Sequence, residues 1–181
     1  QVYMKILLIF FLIILVSVIG YSAARYAHKR QISRDLVAGA IPYKNETSDR
    51  RVSMLILGDS TAFGVGASNP EESLAGRLAK EVGATYAENY AVSGAQVRDI
   101  KRQIGYAKLE DYSFILIQIG ANDIIRFRGA KEKAGELSLM LKNLPTANKT
   151  FLLTAGNVGA ATLFPLLFRP FYTKLNLEYH E

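Results

Sequence analysis

The sequence predicts an α/β fold, a parallel sheet with helices on both faces, carried behind one apolar N-terminal helix. Three observations predict it. Apolar runs of roughly four to eight β-forming residues alternate with amphipathic helical patterns, the signature of a parallel sheet covered on both sides. The runs are followed by glycine or small polar residues, as strands leading into loops are. Ahead of them, no charged residue occurs from Ile6 to Ala24.

That uncharged segment contains ILLIFFLIILVSVIG and has no polar face, which a buried core helix would normally show. At 1.5 Å per residue it reaches roughly 28 Å, close to the hydrocarbon thickness of a bilayer. Residues 4–24 therefore read as a transmembrane anchor. The alternative is a signal peptide, with Lys5 as its basic start and Tyr21–Ala24 offering small residues for cleavage. Arg25, Lys29, Arg30 and Arg34 follow the segment and by the positive-inside bias would hold the rest in the cytoplasm. A secretory reading requires the opposite side, and extracytoplasmic placement is the expectation retained. Residues 25–50 lack periodicity, contain Pro, Gly, Asn and Ser, and read as a basic linker; His28 falls there as a solvated residue.

Residues 51–181 form the expected domain. Arg51–Gly58 (RVSMLILG) reads as a buried strand. A helix follows, capped by Asn69, with Pro70 in its first turn, Leu74, Leu78 and Val82 along one face, and Gly83 at its end. ATYAENYAV is the second strand, and Val97, Ile100 and Ile104 mark one face of the next helix. Tyr112–Gly120 is a third buried strand. A helix over 130–144 presents Ala134, Leu137, Leu141 and Leu144, and Thr150–Gly156 is a fourth strand.

Composition removes several classes of function. There is no Cys, so disulfides, thiol nucleophiles and Cys-based zinc sites are excluded. The net charge of +6 is concentrated in residues 1–51, which hold eight Lys/Arg against three Asp/Glu. The remainder is nearly balanced, so the folded domain lacks the basic stripe of a nucleic-acid binder. Gly64 and Gly66 lack the third glycine of a dinucleotide loop, and no Gly-Lys-Ser/Thr follows to make a P-loop.

In parallel sheets ligands bind at the carboxyl ends of the strands. The first strand is followed by Gly58-Asp59-Ser60-Thr61, the second by Ser93-Gly94, and the third by Gly120-Ala121-Asn122-Asp123. Taken singly, each has a structural reading: Ser60 as a helix cap, Gly94 as a turn glycine, Asn122 as a cap. Taken together they supply a hydroxyl nucleophile and three donors for an oxyanion, namely the Ser60 amide, the Gly94 amide and the Asn122 side chain. Asp59 and Asp123 read as loop-shaping acceptors beside Gly58.

GDSTAFGVGA, Ser93–Ala95 and Gly120–Asp123, in this order, resemble the first three blocks of the SGNH (GDSL-type) hydrolases, over about Arg51–Gly159. The resemblance implies a flavodoxin-like three-layer α/β/α sandwich, with Ser60 as nucleophile and Gly94 and Asn122 in the oxyanion hole. It implies a carboxylic-ester hydrolase that forms an acyl-enzyme on an ester of a small molecule, glycan or lipid, such as an acetylated sugar. No metal or cofactor is implied. The alternative is a membrane-tethered module of the same fold that binds an acyl group without turnover.

The family's fourth block, Asp-x-x-His, is not in this sequence. His180 has Leu177 three residues before it and reads as a helix residue, so the catalytic Asp and His are both missing. With Gln1 at the start and Met4 inside, the sequence is expected to be a truncated part of a longer hydrolase and nearly inactive alone. Apolar residues in Asn157–Tyr172 can line a pocket, dock on a membrane or pack the core. Asn45-Glu-Thr and Asn148-Lys-Thr match the glycosylation pattern, which is frequent by chance.

Overall fold

The computed structural model describes residues 1–126, 130–161, 164 and 168–180, with the side chains of 130–134 and 179–180 outside the description. The first helix, α1 (Val2–Gly39), is 38 residues long and has no buried residue. By length and composition it is apolar enough to cross a membrane. It also absorbs the first half of the expected linker: 25–39 are helical. No Gly or Pro interrupts the chain between Tyr21 and Ala38, and Gln31 Nε2 donates to Asp35 Oδ1 one turn on, at 2.8 Å.

The rest of that linker is not free either. Asn45 forms a two-way backbone bridge with Ala87, at 3.0 and 2.8 Å, on the outer edge of a strand. Its side chain donates to the Thr85 carbonyl at 3.1 Å, as does the Thr47 hydroxyl at 2.7 Å. Residues 40–51 thus cover a sheet edge whose N–H and C=O groups would otherwise invite another strand.

The body is a four-stranded parallel sheet: β1 (Ser53–Gly58), β2 (Tyr86–Asn89), β3 (Asp111–Ile119) and β4 (Thr146–Thr154), in the order β2-β1-β3-β4. Strand alternation divides the core into two layers. Leu55, Leu57, Ile115, Ile117 and Ile119 point one way, against α4 (Ile100–Ile104), the preceding 3₁₀ turn and α6 (Ala130–Lys142). Met54, Ile56 and Leu116 point the other way, against α2 (Ser60–Phe63) and α3 (Leu74–Glu81) through Ala62, Ala75 and Ala79. The result is the three-layer α/β/α sandwich with flavodoxin-like strand order.

Several local expectations shift. Asn69 caps only a 3₁₀ turn, Pro70–Glu72; Ser73 then starts α3 afresh by accepting from the Gly76 N–H at 3.0 Å. At Gly76 a Cβ would lie 2.3 Å from the Pro70 carbonyl oxygen, so the two turns pack too closely for one continuous helix. On α6 the inward face is Leu137, Met140 and then Leu144; Leu141 is exposed, and the side chain of Ala134 lies outside the described residues. The fourth strand begins earlier than expected, at Thr146, and lies at the edge of the described sheet with Leu152 and Leu153 exposed.

The last helix, α7 (Arg169–His180), packs on α5 (Ala121–Ile125). Tyr172 joins Ile124, Ala155 and Val158 in a third apolar cluster, with Phe164 stacked on it at 4.1 Å. At the amino edge of the sheet the buried Glu88 carboxylate accepts from the Tyr86 and Tyr112 hydroxyls and the Lys108 N–H. Burial and this carboxylate push the Tyr86 hydroxyl up to about 12.

Candidate active site

In this strand order the chain reverses direction between β1 and β3, the switch point at which doubly wound sheets open a crevice. The segments carrying Ser60 and Asn122 leave the sheet on the two sides of that point. Gly58 ends β1 at φ +139°, and a Cβ there would lie 2.1 Å from the Gln118 carbonyl oxygen. Only glycine lets β1 and β3 remain paired to their ends.

Gln103, buried on α4, grips Gly58 by both amide groups. Its Oε1 accepts from the Gly58 N–H at 2.8 Å, and its Nε2 donates to the Gly58 carbonyl at 2.9 Å. A side chain thereby completes the strand end as a neighbouring backbone would.

Beyond Gly58 the chain is held at each step. The Asp59 N–H donates to the Gln118 carbonyl at 2.9 Å, and Asp59 Oδ1 caps α2 by accepting from the Thr61 N–H at 3.0 Å. Ser60 is the first residue of α2 and half-buried. Its carbonyl accepts from the Gly64 and Val65 N–H groups at 3.1 and 2.9 Å.

Burial raises the Asp59 carboxyl above its usual range; the Thr61 N–H opposes this, and the Asp123 charge adds to it. Because the folded state holds the proton more tightly, the stability from this group is full below the unfolded pKa and is lost as pH rises through the folded one. Asp59→Asn keeps the acceptor for Thr61 without the charge. It is expected to raise the melting temperature at neutral pH and to flatten stability above the ordinary carboxylate range. A thermal-unfolding pH series checks this; a lower melting temperature at neutral pH would refute it.

Around Gly94 (φ +82°), the loop after β2 is held from α5. Asn122 Nδ2 donates to the Ala95 carbonyl at 2.9 Å. The fully buried Asp123 accepts from Gln96 Nε2 at 3.4 Å and from the Val97 N–H at 3.1 Å. Arg126 donates to Gln96 Oε1 at 3.1 Å and, at a long 3.5 Å, to the Gly94 carbonyl. Residues 94–97 are therefore gripped in succession by 122, 123 and 126, so one helix turn sets the position of both loops.

Three donors remain at this edge. Among the described residues neither the Ser60 N–H nor the Gly94 N–H has a protein acceptor, and Asn122 Nδ2 spends one of its two hydrogens on Ala95. Unsatisfied donors at strand ends are the kind of group that suits developing negative charge on a carbonyl oxygen. His28 is exposed on α1, and His180 is the last residue of α7, with its side chain outside the described residues.

Gln96, Gln103 and Arg126 were not singled out by sequence reasoning. A signal existed for one of them: Gln103 lies three residues after Ile100, on the face of α4 that the apolar pattern assigns to the core.

A family model, the GDSL-like Lipase/Acylhydrolase family, matches residues 56–177. No curated protein matches the chain. Solved structures of similar fold include a G-D-S-L family lipolytic protein from Desulfitobacterium hafniense DCB-2, at 18% identity over 72% of this chain and 74% of that one, TM-score 0.49. Axe2, an acetylxylan esterase from Geobacillus stearothermophilus, is 18% identical over 76% and 74%, TM-score 0.47. The psychrotrophic esterase EstA from Pseudoalteromonas sp. is 19% identical over 73% and 74%, TM-score 0.42.

Proposed function

Since this chain belongs to the GDSL-like lipase/acylhydrolase family, we propose that it is a hydrolase that cleaves a carboxylic ester through an acyl-enzyme on Ser60. The observation that supports it best is that, among the described residues, the Ser60 and Gly94 N–H groups have no protein acceptor and the Asn122 amide is half-used, at the edge where the Ser60 helix begins. In this reading Ser60 Oγ bonds to the ester carbonyl carbon, whose oxygen becomes the oxyanion held by the three donors. The Ser60 proton passes to a base and then to the departing alcohol as the ester C–O bond breaks. Water repeats the attack, releasing the acid and returning the proton to Ser60.

Gly58, Asp59 and Asp123 act in this reading through position, by fixing the strand end and the two loops. The substrate is an ester of a small molecule, glycan or lipid, and α1 tethers the domain to a membrane, on its extracytoplasmic side. The domain then works at a surface rather than in bulk solution.

The test is acyl trapping in the protein as its host makes it. Brief exposure to an activated acetyl ester followed by acid quench is expected to leave one acetyl group, mapped by mass spectrometry to the peptide containing Ser60. No acyl group on Ser60, with the ester still bound reversibly, would replace the reading by a tethered module that binds an acyl group without turnover.

A further inference from the structure

Asn89 is the last residue of β2, paired in register with Ile56 of β1, and it is buried. Both ends of its amide are spent on backbone. Nδ2 donates to the Ala62 carbonyl of α2 at 2.9 Å, and Oδ1 accepts from the Ala91 N–H, two residues on, at 3.0 Å. The first bond reaches the helix that begins at Ser60, and the second bends the chain that leads to Gly94. The bond to Ala62 matters because α2 is only four residues long, too short to hold itself as a helix. Its start is fixed by the Asp59 cap and by the Asp59 N–H bond to Gln118. Nearer its other end Ala62 is fully buried, and among the described residues its carbonyl accepts no backbone N–H. Such a carbonyl is one of the orphans of a helix end, and Asn89 supplies its donor.

On the other side of Asn89 the chain follows the end of β1 before it turns. The Tyr90 N–H donates to the Ile56 carbonyl at 2.9 Å, and the Val92 N–H to the Gly58 carbonyl at 3.0 Å. From this geometry we propose that Asn89 is a positioning residue of the Ser60 site. Its amide sets the place of the Ser60 helix against the loop that carries Gly94, and so of two of the three donors against each other. The proposal rests on the reading of Ser60 as the nucleophile. Gln103 fixes the end of β1 from α4, and Asn122 fixes the Gly94 loop from α5. With Asn89, three side-chain amides tie together the segments that follow β1, β2 and β3. Donors aimed at a developing oxyanion act only where they are held in place, and a shift of about 1 Å can cost roughly 10²-fold in rate. A residue serving the fold alone would need only to satisfy the Ala62 carbonyl, and its loss would be read in stability.

The test uses the protein as its host makes it, with 4-nitrophenyl acetate as the probe, and compares three variants with the parent. Asn89→Ala removes both bonds. Asn89→Asp keeps the shape and the acceptor for Ala91 but, as a carboxylate, offers Ala62 no hydrogen. Thr85→Val is the control, half-buried just before the amino end of β2; it removes the bonds that Thr85 Oγ1 makes with the Val52 N–H at 3.1 Å and the Val52 carbonyl at 3.3 Å. At a temperature where all are folded, both Asn89 variants are expected to lower Ser60 acylation and kcat roughly 10–10²-fold, with KM within about twofold. Thr85→Val is expected to keep kcat within about twofold, even where its melting temperature falls as far. If the Asn89 variants lose no more kcat than Thr85→Val at equal loss of melting temperature, or raise KM alone, the positioning role is overturned. Failure of both to fold where Thr85→Val folds assigns Asn89 to the fold and overturns it too. If the parent protein takes no acetyl group on Ser60, the hydrolase reading fails and the positioning role with it.

Discussion

In the protein as its host makes it, Ser60→Ala is expected to lower ester turnover by up to roughly 10⁶-fold, about 8 kcal/mol of transition-state stabilisation, with little change in folding stability. The contrast comes from what Ser60 does in the fold. A turn serine usually caps a helix, but here Asp59 caps α2, by accepting from the Thr61 N–H. The Ser60 hydroxyl makes no hydrogen bond to protein among the described residues, and its carbonyl bonds to Gly64 and Val65 are backbone bonds that alanine retains. Loss of a half-buried hydroxyl in that position should stay within about 0.5 kcal/mol. Turnover and thermal unfolding measured on the same protein separate the two. A large activity loss on an unchanged fold marks a nucleophile; a destabilised protein with proportionate activity marks a structural serine.

The same distinction shows how far the sequence could be read. Strands and helices that bury one face announce themselves by periodicity, so β1, β3, the two layers around them and the three loop motifs at one sheet edge were legible. The course of 40–51 was not, because a segment that pairs through its backbone at Asn45 carries no side-chain pattern; its partner, the edge of β2, is distant in sequence. The apolar residues Phe151, Leu152 and Leu153 mark β4 as a strand, whereas the exposure of Leu152 and Leu153 is decided by its place at the edge of the described sheet.

The clamps on the candidate site fall in the same category. Gln103 meets Gly58 across 45 positions, and Arg126 meets Gln96 across 30. Polar side chains bonded to distant backbone or to one another look, in a sequence, like ordinary helix-surface residues. Only a polar residue on an otherwise apolar face, as at Gln103, gives a local trace of such a bond.

Asn122→Ala carries the second large effect, because the side chain has two separable functions. One Nδ2 hydrogen holds the Ala95 carbonyl, and its loss should cost stability about 0.5–1.5 kcal/mol. The other is the proposed oxyanion donor, and its loss should lower turnover roughly 10²–10³-fold, about 3–4 kcal/mol, with little change in KM. Asn122 lies inside α5 rather than at its cap position, which Gly120 occupies, so helix capping does not account for it. Arg126→Ala supplies the comparison, since it releases the same loop at Gln96 and Gly94 without removing a donor from the Ser60 edge. If Asn122 serves only to hold the loop, the two variants should lose activity alike. If it donates to the oxyanion, Asn122→Ala falls far below Arg126→Ala at similar thermal stability, and the excess measures what that one hydrogen contributes to the transition state.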